Sequence, residues 1–164
     1  MKTRSATGLF CLLLVLWTAG AASHCEIPCG IYDDGMRIKL IREHIDTIEK
    51  SMNMIKKLTG QQEKNYNQIV RWINNKEAHA EELQHIVYQY FMTQRINPVG
   101  EEDEEYGRYI EEVTLLHQLL IGAMRSKQTL ELDHIANMRK LVDRFEKAYF
   151  GHHEGGESAD GGKK

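Results

Sequence analysis

Seven consecutive residues, His24-Cys25-Glu26-Ile27-Pro28-Cys29-Gly30, carry the chemistry-bearing side chains of this chain in their densest arrangement. If His24 were a free N-terminus, its α-amine and the deprotonated amide nitrogen of Cys25 would close a five-membered chelate ring. The same amide and the Cys25 thiolate would close a second. Pro28 and Gly30 set a turn that returns Cys29 as a fourth in-plane donor, and the His24 imidazole can approach axially. Square-planar nitrogen and sulfur donors suit Ni(II) or Cu(II). Two thiolates and an anionic amide push electron density onto the metal and bring a Ni(III)/Ni(II) couple into a usable range, while an axial imidazole favours five-coordinate Ni(III). Thiolates are easily oxidised, so coordination must also protect the sulfurs.

That chemistry needs the His24 amine, and the preceding segment supplies a route to it. Lys2 and Arg4 are followed by the apolar run Leu9-Phe10-Cys11-Leu12-Leu13-Leu14-Val15-Leu16-Trp17 and the small residues Ala21-Ala22-Ser23, the pattern of an export leader cleaved after Ser23. The run is about half of the roughly 20 residues a membrane-spanning helix needs, so no membrane association is expected after cleavage. The expected location is exported: secreted, periplasmic or otherwise extracytoplasmic. Cys11 leaves with the leader, and Cys25 and Cys29 remain as a pair four residues apart, either a local disulfide or a thiolate metal site. Losing Lys2 and Arg4 makes the formal charge of −3 more negative by two. No basic stripe of the kind that binds nucleic acid is present.

The elements that must carry this hook read as helices. Only Pro28 and Pro98 occur in 164 residues, and Gly is sparse before the tail. Ile41, Ile45, Ile48, Met52 and Ile55 predict a helix over 35–58. Tyr66, Ile69, Ile73, Ala80, Leu83, Val87 and Tyr90, with Lys76 as a polar member, predict a second over 62–95, broken at Asn97-Pro98-Val99-Gly100. The acidic run 101–105 reads as the start of a third, where negative charge complements the helix dipole. That helix carries Tyr106, Ile110, Val113, Leu120 and Met124 inward and ends near Ser126, with His117 on the same stripe. A fourth over 129–150 turns Leu132, Ile135, Met138, Val142, Phe145 and Tyr149 inward. The expected fold class is all-α: a four-helix bundle with an N-terminal metal-binding hook. The expected division is a leader over 1–23, hook plus bundle over 24–150, and a Gly-rich disordered tail over 151–164.

The motif His24-Cys25-x-x-Pro28-Cys29-Gly30-x-Tyr32 resembles the nickel-binding hook of the nickel superoxide dismutases. The resemblance implies that two superoxide ions and two protons become oxygen and hydrogen peroxide, with one nickel ion per subunit alternating between Ni(II) and Ni(III). It implies His24, Cys25 and Cys29 as metal ligands and Tyr32 as a residue lining the access path. The segment Val87-Tyr88-Gln89-Tyr90-Phe91 resembles the family's second-helix Tyr-Phe segment, which makes Tyr90 the second entrance tyrosine. The family's four-helix bundle assembles as a homohexamer, with each hook braced partly by a neighbouring subunit.

Two positions depart from the family pattern. Arg37-Ile38-Lys39 stands where the family often has Arg-Ile-Glu, whose Glu orients the axial imidazole, and His79 stands where a partner Arg is usual. Lysine cannot accept the imidazole N–H, so Glu77 or Glu43 is the substitute acceptor. Glu26 replaces a frequent Asp that is not a ligand. Two other readings stay open: an exported helical-bundle interaction protein with a Cys25–Cys29 disulfide, and a metal carrier without turnover.

Overall fold

Local capping chemistry sets where the first two helices begin. The computed structural model describes residues 27–151; the leader, His24, Cys25 and the tail from residue 152 lie outside the described residues. The chain divides into two compact units, with the boundary between Tyr32 and Asp33.

In the second unit, the Asp33 side chain accepts the Met36 amide at 2.8 Å and caps α1, Asp34–Thr59. Ile38, Ile41, Ile45, Ile48, Met52 and Ile55 are buried along it, the predicted stripe extended by one turn. The second helix was expected from residue 62 but starts later. The Asn65 side chain accepts the Gln68 amide at 3.2 Å and caps α2, Tyr66–His85. Its axis continues into a π-helical segment, Ile86–Arg95. Tyr66 and Ile73, expected inward, are exposed, because they lie at one edge of a stripe centred on Ile69, Lys76, Ala80 and Leu83. The buried Lys76 donates its ammonium to the Ser126 carbonyl at 2.6 Å and to the Lys127 carbonyl, orphan acceptors at the end of the third helix.

That helix, α3, spans Tyr106–Gln128. The acidic run does not form its first turn: residues 101–104 lie exposed in turns before it, and Asp103 Oδ1 accepts the Glu105 amide at 2.8 Å. Its inward face also differs from the expected one. Leu115, Leu116, Leu119, Gly122, Ala123 and Ser126 are buried, whereas Ile110, His117 and Met124 are exposed. The helix carries apolar residues on two overlapping faces, and the face with small residues goes inward because it permits close packing. A Cβ on Gly122 would sit 2.7 Å from Met138 Cγ. The last helix, α4, is Asp133–Phe150, starting four residues later than expected. Ile135, Met138, Leu141, Val142, Phe145 and Tyr149 are buried along it, with Leu132 partly so.

Each helix packs on the next in the chain and α1 packs on α4, closing an all-α four-helix bundle. Arg42 pairs with Asp143 and Glu146, and Arg139 with Asp46 and Glu49, tying α1 to α4 across the surface. No helix among the described residues is long and apolar enough to cross a membrane.

Candidate metal centre

The described part of the first unit is a tight turn. The Ile31 amide donates to the Pro28 carbonyl at 3.1 Å, and the Ile27–Pro28 peptide is cis. Cys29 has φ 33° and Gly30 φ 90°. Positive φ at both central positions is the mark of a mirror-image turn that favours glycine. At Gly30 the constraint is conformational rather than steric, since a Cβ there meets nothing within 4 Å. Cys29 adopts the left-handed region at a cost of about 1–2 kcal/mol for an L residue. The turn leaves Cys29 exposed and Tyr32 38% exposed. Sequence reasoning placed Cys29 and Tyr32 together, and both belong to this unit; His24 and Cys25 lie outside the described residues.

Tyr90 belongs to the second unit, on the π-helical segment, and is buried as the apolar stripe predicts. Its hydroxyl donates to Asp34 Oδ1 at 2.6 Å. The same carboxylate receives Arg95 Nε on Oδ1 and Arg95 Nη2 on Oδ2, both at 2.8 Å, and the Tyr149 hydroxyl on Oδ2 at 2.9 Å. The Arg37 guanidinium lies 4.9 Å over the Tyr90 ring, and its buried Nε meets no acceptor among the described residues. Burial works to raise the Asp34 pKa, but the hydrogen bonds from Arg95, Tyr90 and Tyr149 outweigh it and hold the carboxyl below its ordinary value. Burial and then the Asp34 hydrogen bond push the Tyr90 phenol up to about 12 and raise Tyr149 as well.

Asp34, Arg95, Tyr149 and Arg37 were not singled out from the sequence as site residues. Tyr149 had been read only as core, and the five-residue spacing of Tyr90 and Arg95 matches no α-helical face. A π-helical segment is the one signal that joins them, and such segments are frequent at functional sites.

The departures from the family pattern have structural counterparts. Lys39 is exposed. His79 pairs with His44, Nδ1 to Nδ1 at 2.9 Å, so one ring's N–H donates to the other's lone pair. Burial, then the neighbouring His79, lowers the His44 pKa, against opposing effects of Glu82 and Glu43. Glu77 is ion-paired with Lys76 at 3.0 Å, and Glu43 is exposed.

Among the described residues no cluster of three or more His, Cys, Asp or Glu is placed to hold a metal ion. A family model described as nickel-containing superoxide dismutase matches residues 19–153. Among curated proteins and among solved structures, nothing matches the chain.

Proposed function

The chain belongs to the nickel-containing superoxide dismutase family, an enzyme family, and from that premise we propose that its catalytic centre is a hook built by His24, Cys25 and Cys29. The donor chemistry of these residues fits nickel: the His24 amine and imidazole, the Cys25 amide and the Cys25 and Cys29 thiolates would give a nitrogen and sulfur set suited to that ion. The observation that carries the reading is the turn from Pro28 to Ile31, whose 3.1 Å hydrogen bond and positive φ at Cys29 and Gly30 reverse the chain at the second cysteine.

Held by His24, Cys25 and Cys29, nickel would supply a one-electron Ni(II)/Ni(III) couple for superoxide disproportionation. The residues of this chain do the rest. Leader cleavage after Ser23 frees the His24 amine. Cys25 and Cys29 enter as thiolates, so loading releases protons and weakens in acid. Tyr32 and Tyr90 are the tyrosines that the family resemblance assigns to the approach, and Tyr90 is held protonated over the physiological range. Glu77 and Glu43 are the carboxylates that could stand in for the family Glu as acceptor of the His24 imidazole N–H. The enzyme works in an exported compartment, with one nickel per subunit, as a homohexamer in which neighbours brace each hook.

Cys29→Ser tests the hook directly. The variant is expected to keep its helical circular dichroism, lose nickel on gel filtration and lose superoxide turnover. A variant that retained stoichiometric nickel and full turnover would remove Cys29 from the ligand set.

A further inference from the structure

Four donor hydrogens converge on one carboxylate, and the geometry that brings them there is specific. Tyr90 and Arg95 are five residues apart. On an α-helix such positions point about 140° away from each other, so both could not reach Asp34. The segment Ile86–Arg95 is π-helical, and i→i+5 bonding brings a residue and its fifth successor onto one side. Arg95 then clasps Asp34 through two nitrogens, a bidentate arrangement that fixes the plane of the carboxylate. Tyr149 from α4 holds Oδ2, and Arg37 covers the Tyr90 ring.

We propose that Asp34 is a positioning residue for Tyr90: held by Arg95 and Tyr149, its carboxylate takes the phenolic hydrogen of Tyr90 and fixes both the ring and the direction of that hydrogen. Tyr90 has one hydrogen to give, and it is committed to Asp34 at 2.6 Å. The Asp33 backbone also bonds the phenol, so Tyr90, its hydrogen committed to Asp34, does not donate a proton to the anionic substrate. Asp34 acts through Tyr90. The inference rests on the reading of Tyr90 as a residue of the approach to the metal.

The test uses the nickel-loaded mature protein labelled with ¹³C at the tyrosine ζ position, the Tyr90 signal being assigned by its loss in Tyr90→Phe. In the unaltered protein the signal is expected to titrate near 12; titration near the ordinary value of about 10 overturns the proposal without any variant. Asp34→Asn and Arg95→Lys, at full nickel content, are expected to move that titration downward. Each should lower kcat/KM by about tenfold or more, the scale on which small misplacements act. Adding Asp34→Asn to Tyr90→Phe is expected to cost little further, since both act on one phenol. A Tyr90 titration unmoved by Asp34→Asn, or losses that add in the double variant, overturns the proposal while leaving Tyr90 in place. Full activity in Tyr90→Phe removes the reading of Tyr90 itself, and the positioning role with it.

Discussion

Tyr90 and Asp34 lie 56 positions apart in the chain, and the Tyr90 hydroxyl donates to Asp34 Oδ1 across 2.6 Å. The bond joins the first turn of α1 to the π-helical end of the second helix. Tyr149, from the last turn of α4, reaches the other oxygen of the same carboxylate. Three of the four helices are therefore fastened at one side chain, one residue past the start of the second unit. The negative charge also sits in the first turn of α1, where the helix dipole favours it.

Asp34→Ala leaves the Arg95 guanidinium and two phenols without this acceptor. The expected loss is about 3 kcal/mol of unfolding free energy near neutral pH, the scale of losing charge-assisted hydrogen bonds at a partly buried site. The sign of its pH dependence follows from the shifts. A depressed carboxyl contributes stability above its unfolded value of about 3.9 and loses it as pH falls further. The raised Tyr90 and Tyr149 phenols contribute below their unfolded value of about 10 and lose it as pH rises through the folded values. Urea denaturation of both proteins across pH checks this: the gap should be widest in the plateau and should narrow at both extremes.

Lys76→Met keeps the length of the side chain and removes its donors. The Ser126 and Lys127 carbonyls at the end of α3 then lose their buried partner. The predicted cost is about 1–3 kcal/mol, with faster amide hydrogen exchange confined first to the last turn of α3 and the facing turn of α2. Exchange that rose uniformly over the bundle would argue against a capping role.

His44 is a half-buried base whose pKa is lowered by burial and by His79, opposed by Glu82 and Glu43. Its neutral form is favoured by folding, so its contribution is present above the unfolded value of about 6.5 and is lost as pH falls below it. His44→Gln is expected to flatten the fall in Tm between about pH 7 and pH 5 that histidine protonation produces. An unchanged slope would assign the acid sensitivity to other groups.

Much of this architecture is legible in the sequence. The Ile41-Ile45-Ile48-Met52-Ile55 stripe located the buried face of α1, because isoleucine at heptad spacing with Lys and Glu between leaves one choice of face. The family was legible because two cysteines, a histidine, a proline and a glycine at fixed offsets fit few other chemistries. The face of α3 was misread for a physical reason. Gly122, Ala123 and Ser126 look unremarkable by hydropathy, yet their small size lets α4 approach, while the larger Ile110 and Met124 remain at the surface. The Asp34 network was illegible because its members come from three helices, and because the Tyr90–Arg95 spacing only makes sense once the segment winds as a π-helix.

The hook is tested most directly by the intact mass of the protein isolated from the exported fraction, recorded under native and then denaturing conditions. The expected species is a chain beginning at His24 that carries one nickel per subunit under native conditions and two intact thiols once the metal is released. A metal-free chain lighter by two hydrogens, or one still bearing residues before His24, would contradict it, because either the thiolates or the amine donor would be missing.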